Sequence, residues 1–240
     1  MKRYLILALL LVVACGPRNG QSKNESVKTA TQNEITGIDV SHHNGDVRWD
    51  VLFKKDKILF VFVKATEGAS IVDRKYVHNV TAARKAGLKV GAYHFLTTSS
   101  SAEAQFANFK KRVKSKDIDL IPVLDAEAIT PNHPMSREKY RRLARKWVDL
   151  CIKEYGKAPI IYSSIGFYRQ YLKGHFDDCM FWTGNVNAKP SYLNGEPWVI
   201  WQKTIRKCHG TPGPVDYNIL AKGKSLADIS LSNNRQSSGN

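Results

Sequence analysis

The sequence is poor in cysteine and lacks the short motifs that hold metals and nucleotides. Four cysteines in 240 residues are too few for a disulfide scaffold, and none are spaced as CxxC, so we expect no structural zinc site. No GxGxxG follows the first apolar run and no GxxxxGK[ST] occurs, so nucleotide binding has no motif support. Helix-turn-helix, OB-fold and RNP patterns are missing too, and we predict neither a nucleic-acid partner nor a cofactor.

Acidic residues are also few. The chain has 37 Lys and Arg residues against 21 Asp and Glu, a formal net charge of +16. A surplus of this size indicates an anionic partner such as lipid headgroups or cell wall, with a non-specific solubility surplus as the alternative. The share of hydrophobic residues, 42%, is that of a globular protein and excludes a multi-span membrane protein.

The N-terminus has the pattern of an export signal. Lys2 and Arg3 precede the apolar run Leu5–Val13, which is far shorter than the ~20 residues of a membrane span. The end of this run, Val-Val-Ala followed by Cys15, resembles a bacterial lipobox. We therefore predict an exported bacterial protein that is lipidated at Cys15 and anchored to the cell envelope, at the outer membrane or the cell surface. A plain signal peptide is the alternative.

Composition divides the rest of the chain. Residues 16–33 are rich in Asn, Ser, Gln, Lys and Thr, which is typical of a flexible tether, and the last residues are wholly polar. The predicted divisions are a lipoprotein signal peptide over 1–14, a tether over 15–33, a single domain over 34–224 and a disordered tail over 225–240.

Strand-like and helix-like patterns alternate along the domain. Repeated β-helix-β units imply parallel strands with right-handed crossovers. Because helical patterns occur only between the early strands, we predict an α/β barrel that is helix-poor in its last third, with an open doubly wound sheet as the alternative. The predicted strands are 35–41, 59–66, 89–96, 120–127, 159–163, 180–183, 198–202 and 216–220, and the predicted helices are 47–55, 73–86, 100–113 and 136–155.

Polar and aromatic residues gather where the predicted strands end, which is where a parallel barrel places its active site. Asp125 and Glu127 lie two residues apart on one strand and so face the same way, and repulsion between them raises the pKa of one partner. Paired carboxylates with aromatic side chains and no metal cluster point to glycoside hydrolysis. The other candidates at this rim are Asp39, Asp216, Lys64, Tyr93, Phe95, Tyr162, Trp182, Trp201 and Gln202.

These candidates have structural alternatives. Asp39 could cap the following turn, and Asp125 and Glu127 could pair with Lys64 in a structural network. The aromatic residues could be core residues. We expect His94, on a buried strand, to be a hydrogen-bonded core histidine, and His42 and His43 are a weak metal-ligand pair for which we predict no metal.

Three cysteines remain after Cys15. Because an exported chain meets oxidising conditions, we predict a disulfide between Cys179 and Cys208, which flank the neighbouring sixth and seventh strands. Cys151 lies within a long predicted helix and is expected to be a buried hydrophobe.

Several segments, in this order, resemble the glycoside hydrolase family 25 muramidases. The resemblance implies a TIM-like (β/α)5β3 barrel and a lysozyme activity, namely hydrolysis of the β-1,4 bond from N-acetylmuramic acid to N-acetylglucosamine in peptidoglycan. The matching segments are GIDVSHHNG at 37–45, FVFVKATEG at 60–68, VGAYHF at 90–95, PVLDAE at 122–127, WQ at 201–202 and VDYN at 215–218.

The same resemblance implies roles for the acids. Glu127 matches the general acid, Asp125 its partner carboxylate, and Asp39 and Asp216 the other acids of the catalytic subsite. It also implies a retaining route through the 2-acetamido group of the substrate. We expect a monomer that binds peptidoglycan glycan strands. The alternatives are a non-catalytic peptidoglycan-binding lipoprotein and a hydrolase of another N-acetylated glucan such as chitin.

Overall fold

A computed structural model describes residues 34–184 and 198–231. Its strands are β1 Thr36–Val40, β2 Phe60–Glu67, β3 Ile71–Val72, β4 Lys89–Phe95, β5 Val123–Asp125, β6 Ile160–Ser164, β7 Phe181–Gly184, β8 Trp198–Lys207 and β9 Pro214–Leu220. Its α-helices are α1 Trp49–Lys54, α2 Tyr76–Lys85, α3 Ala102–Arg112, α4 Arg137–Tyr155 and α5 Ile165–Phe167, and a π-helical turn, Tyr168–Leu172, continues α5.

Eight of these strands close into a barrel. The order around the ring is β1-β9-β8-β7-β6-β5-β4-β2, and β1 pairs with β2 to complete it, while the short β3 is added to the edge of β2. Within the described residues, helices follow the first five barrel strands and not the later ones. The predicted (β/α)5β3 barrel is therefore confirmed, and the open doubly wound sheet is excluded.

One strand runs against the others. β9 is antiparallel to both of its neighbours, β1 and β8, whereas the remaining ring pairs are parallel. The connection from β8 to β9 has only residues 208–213, which is enough for a hairpin but too short for the crossover that a parallel pair requires. The prediction of parallel strands is wrong for β9 for this reason.

Alternation along the strands separates two cores. Inside the ring, the rings of Phe60 and Phe62 fill the space left by glycine, because a Cβ on Gly37 or Gly91 would lie 2.3 Å from one of these rings. Outside the ring, the alternate residues of the strands pack against the helices. The inner core closes the barrel below the ends of the parallel strands and so forms a solid floor there.

His94 belongs to the outer core, as predicted. It is fully buried, its Nδ1 lies 2.8 Å from Thr66 Oγ1 and its Nε2 lies 3.1 Å from Gln105 Oε1. Its ring stacks on Trp147 of α4. Burial lowers the pKa of His94 to about 4, so it is a neutral packing residue.

The start of the predicted tail is folded. Leu226–Ile229 form a 3-10 helix, Ile229 is buried in the inner core, and its carbonyl accepts from Ile121 N at 2.9 Å. The prediction of disorder is therefore wrong for residues 225–231, because Ile229 gains burial by covering the barrel interior at the end where the parallel strands begin. The rest of that prediction, over 232–240, lies outside the described residues.

The predictions for the N-terminus also lie outside the described residues, since residues 1–33 are not among them. Within the part of the chain that the structure describes, no helix is long and apolar enough to cross a membrane.

The predicted Cys179–Cys208 disulfide is absent. Both residues are buried free thiols, as is Cys151, which packs in the outer core as expected. Cys179 precedes β7 and Cys208 follows β8, and these strands are parallel, so the two cysteines lie at opposite ends of the barrel. The length of β8, about 3.3 Å for each residue, separates them far beyond the ~7 Å Cα distance that a disulfide allows.

Candidate active site

A cleft of about 260 Å³ opens at the end of the barrel where the parallel strands finish. The antiparallel direction of β9 places its first residues at the same end, so that Asp216 pairs with Asp39 across the β1–β9 ladder. The cleft gathers ten of the eleven predicted residues. They are Asp39, Lys64, Tyr93, Phe95, Asp125, Glu127, Tyr162, Trp182, Gln202 and Asp216, joined by Ser41, His43 and Val123.

Four carboxylates therefore share one cleft, and each has a raised pKa. Burial is the largest cause for Asp39, Asp125, Glu127 and Asp216, and repulsion within the group adds to it for the first three. Four close carboxyl groups do not ionise together at low cost, so the cleft retains protons that a solvated set of carboxylates would lose.

Asp39 is held by amide donors. Trp182 Nε1 donates to Asn218 Oδ1 at 3.0 Å, and Asn218 Nδ2 donates to Asp39 Oδ2 at 2.8 Å. Because an indole nitrogen only donates, Asn218 must present its oxygen to Trp182 and its NH2 group to Asp39. These contacts and a hydrogen bond from Gln202 oppose the rise in the pKa of Asp39. Asp39 therefore accepts hydrogen bonds here and does not cap the next turn, whose N-cap is Ser41.

Asp125, the last residue of β5, is more deeply buried than Glu127. It is 9% exposed, and its Oδ1 accepts no hydrogen bond from any described residue. Burial raises the pKa of Asp125 well above its usual range, Glu127 and Asp39 raise it further, and the positive charge of Lys64 opposes them. In the protein without substrate, Asp125 thus competes with Glu127 for the proton that a general acid would donate.

Glu127 is the more accessible partner. Glu127 lies two residues after Asp125 in the chain, and its side chain is only partly buried. Burial raises the pKa of Glu127, a hydrogen bond from Tyr162 opposes this, and Asp216 adds to the rise. Tyr162 has one hydroxyl proton and donates it to Gln202 Oε1 at 2.9 Å, so Gln202 and Glu127 compete for this donor. Glu127 combines a raised pKa with access to the cleft.

Lys64 does not form an ion pair with Asp125 or Glu127. Its Nζ bonds Glu67 Oε2 at 2.6 Å and lies 5.3 Å from the centre of the Phe95 ring. The structural network that the sequence left open therefore joins Lys64 to Glu67, and Asp125 and Glu127 face the cleft.

Two tryptophans differ from prediction. Trp201 alternates with Gln202 along β8, so it points to the outer side of the barrel and packs in the outer core. Trp182 does line the cleft, but it is only 2% exposed and its ring packs against Phe62 and Tyr162. Its contribution to the site is the hydrogen bond to Asn218, and the aromatic rings left open to a sugar are Tyr93, Phe95 and Tyr162.

Sequence reasoning assigned no role to Ser41, His43 and Asn218. Asn218 could have been found, because it lies two residues after Asp216 and thus on the same face of its strand. His43 lines the cleft, whereas its neighbour His42 turns away and contacts Asp73 Oδ2 through Nδ1 at 2.8 Å. Sequence gives no signal that separates these two adjacent histidines.

Comparison with known proteins supports the same assignment. A sequence profile described as "Glycosyl hydrolases family 25" matches residues 38–208. The chain is 33% identical to "Uncharacterized protein YegX" of Escherichia coli K12, over 82% of this chain and 74% of that protein. It is 28% identical to "Lysozyme M1" of Streptomyces globisporus, over 87% of this chain and 75% of that protein.

Solved structures agree with the sequence comparisons. A family 25 glycosyl hydrolase from Bacillus anthracis matches with a TM-score of 0.74 and 33% identity, covering 80% of this chain and 90% of that one. A bacterial lysozyme from Streptomyces coelicolor matches with a TM-score of 0.71 and 26% identity, covering 82% and 96%. The chain therefore belongs to glycosyl hydrolase family 25, and it is a glycoside hydrolase of the muramidase type.

Proposed function

We propose that this muramidase cuts the β-1,4 bond from N-acetylmuramic acid to N-acetylglucosamine in peptidoglycan, with Glu127 as the proton donor. The observation that carries the proposal is that Asp125, the last residue of β5, and Glu127, two residues beyond it, line one cleft with two further carboxylates. Partly exposed Glu127 reaches the leaving-group oxygen, and buried Asp125 shares its proton.

Asp125 and Glu127 act as one titrating unit. Because both pKa values are raised and the groups interact, the pair takes up its proton as a pair and not as two independent residues. When Glu127 gives its proton to the leaving oxygen, negative charge develops on the pair, where Lys64 stabilises it and where it in turn stabilises an oxocarbenium-like transition state.

Asp39 is suited to a different task. The donors Asn218 and Gln202 favour its ionised form and hold it in one orientation. We assign to Asp39, with Asp216 opposite it, the orientation of the substrate 2-acetamido group and the stabilisation of positive charge at the reacting carbon. Tyr93, Phe95 and Tyr162 provide rings against which the sugars stack.

Product analysis tests this function. Purified protein incubated with peptidoglycan should release fragments with muramic acid at the reducing end, identified by mass spectrometry after reduction. Fragments that end in reducing N-acetylglucosamine would exclude a muramidase. Activity confined to chitin would favour the hydrolase of another N-acetylated glucan, and binding without any release would favour a peptidoglycan-binding protein.

Asn218→Ala is expected to lower turnover by roughly 10–100-fold, because it removes a hydrogen bond to a charged group worth about 1.5–3 kcal/mol. The loss of this donor raises the pKa of Asp39, so Asp39 becomes protonated at higher pH and the acidic limb of the pH–rate profile should move to higher pH. Trp182→Phe keeps an aromatic ring but removes the pyrrole part of the indole with its N–H donor. Because Asn218 still donates to Asp39 in this variant, a smaller change in the same direction is expected. An unchanged pH profile in Asn218→Ala would rule out its positioning role.

We also propose that the protein is exported and held at the envelope by a lipid on Cys15. The support is the sequence pattern at residues 2–15, together with the location of peptidoglycan outside the cytoplasm. Cys15→Ala should move the protein from the membrane fraction to the soluble fraction of cells, measured by immunoblotting after fractionation. Retention of Cys15→Ala in the membrane fraction would disprove the lipid anchor.

A further inference from the structure

The end of the barrel opposite the cleft carries an excess of exposed cations. The parallel strands begin at this end and α1 to α4 finish there, because each helix returns the chain to the start of the next strand. We call the exposed cations in these connections, and in the segment after β9, the basic face. They are Lys54, Lys55, Lys57, Arg84, Lys85, Lys89, Lys110, Lys111, Arg112, Lys114, Lys116, Lys153, Lys222 and Lys224.

Few carboxylates offset this charge. The same regions contain Asp56, Asp117, Asp119, Glu154 and Asp228. Three of these carboxylates form ion pairs with the basic face: Asp119 with Arg84 at 3.5 Å, Glu154 with Lys110, and Asp228 with Lys224 at 3.7 Å. Counted together over these connections, the helix ends before them and the segment after β9, the fourteen cations of the basic face stand against five carboxylates. The basic face therefore has a large net positive charge.

Helix polarity explains only part of this excess. Lysine or arginine in the last turn of a helix complements the negative end of the helix dipole, and α1 to α4 all have such residues. Lys57, Lys114, Lys116, Lys222 and Lys224 lie outside the α-helices and do not complement the dipoles of α1 to α4. Their position requires another explanation.

The basic face also lies too far from the cleft to attract substrate into it. The cleft is lined by four carboxylates and one lysine, Lys64, which is paired with Glu67. A strand of anionic glycan in the cleft would gain most from cations around its rim, since electrostatic attraction between exposed groups fades within about 8–10 Å. The basic face instead points away from the substrate.

The N-terminal part of the chain joins the domain at the basic face. β1 begins there, and Thr36 Oγ1 donates to the Lys57 carbonyl at 2.8 Å. Residues 16–33 are the covalent link between Cys15 and this end of the barrel. The chain that leads from Cys15 therefore enters the barrel at the basic face and not at the cleft.

We propose that the basic face docks on the anionic headgroups of a phospholipid bilayer, with the cleft directed away from the membrane towards peptidoglycan. The proposal rests on the envelope location given in the proposed function. Each lysine or arginine near an anionic bilayer strengthens binding by roughly 5-fold, so a face of this charge suffices for salt-dependent docking. The lipid supplies a high local concentration, and the basic face supplies orientation.

The test uses the chain from residue 16 onward, which keeps the whole barrel and lacks the lipid. Binding is measured by co-sedimentation with phosphatidylcholine vesicles that contain or lack phosphatidylglycerol. We compare the triple variant Lys111→Glu, Lys114→Glu and Lys116→Glu with a control of equal charge change at the cleft end, Arg137→Glu, Lys139→Glu and Lys207→Glu. All six side chains are exposed, and none of them forms an ion pair within the residues that the structure describes.

Wild type should bind only the anionic vesicles, and binding should weaken as salt is raised. The basic-face variant should bind at least ~10-fold more weakly, whereas the control should stay within about 2-fold of wild type. Equal weakening of the two variants would show an effect of total charge and overturn the proposal, as would a lack of binding by wild type. Loss of binding to purified cell wall, with vesicle binding unchanged, would instead make the basic face a wall-binding surface.

Two further measurements separate this proposal from others. Unchanged thermal unfolding of both variants shows that the substitutions act at the surface. Turnover on soluble peptidoglycan fragments should equal that of wild type in both variants, so failure of vesicle binding and failure of the muramidase activity are distinguishable.

Discussion

Glu127→Gln is expected to lower turnover on peptidoglycan by at least ~10²-fold, because general acid catalysis contributes ~10²–10⁴-fold and an amide has no proton to give. Glutamine has nearly the same shape, and Glu127 is only partly buried, so binding of peptidoglycan and thermal stability should change little. The measurement is the rate at which reducing ends appear from purified peptidoglycan.

Two further variants make the result specific. Glu103→Gln makes the same chemical change at an exposed site on α3 outside the cleft, and it should retain wild-type turnover. Asp125→Asn should be severe, and adding it to Glu127→Gln should cost far less than the product of the two single effects, because the pair acts as one unit. Wild-type turnover in a folded Glu127→Gln protein would show that the acid is elsewhere, and Asp39 and Asp216 would then be tested.

Trp147→Ala is expected to lower the free energy of unfolding by about 3–5 kcal/mol. Trp147 is fully buried on α4, stacks on His94 with 5.5 Å between ring centres, and lies 5.4 Å from both Phe106 and Phe109. Its removal leaves a cavity that joins α3, α4 and β4 and that their backbones cannot close. At about 2–4 °C for each kcal/mol in a domain of this size, thermal unfolding should occur roughly 6–20 °C lower.

Trp147→Phe is the matched control. The indole Nε1 of Trp147 is buried without a hydrogen-bond acceptor among the described residues, so phenylalanine removes an unsatisfied donor while it keeps most of the ring contacts. It should lose less than half of what alanine loses. If both variants unfold at the wild-type temperature, the α3–α4 layer does not carry the stability assigned to it.

Local pattern determined the parts of this protein that depend on neighbours in the chain. Strand and helix positions follow from apolar periodicity, with the cap residue Ser136 and the left-handed Gly156 at the ends of α4. Two-residue alternation predicted that Asp125 and Glu127 face the same way, and both line the cleft, although β5 ends at Asp125 and Glu127 lies in the segment after it. His94 and Cys151 were correctly predicted as core residues: His94 lies on an apolar strand, and Cys151 lies on the buried face of the amphipathic helix α4.

Tertiary structure decided whatever depends on strand direction and on which side of the ring a residue faces. A short β8–β9 hairpin reverses β9, and this reversal brings Asp216 to Asp39. The parallel direction of β7 and β8 keeps Cys179, before β7, apart from Cys208, after β8. Trp201 and Gln202 are adjacent in sequence, but only Gln202 faces the cleft. Asn218 gained its role from two partners far away in the chain, Trp182 and Asp39. Sequence reports periodicity along one strand, whereas the closure of the ring sets which strands meet, and the site is made where they meet.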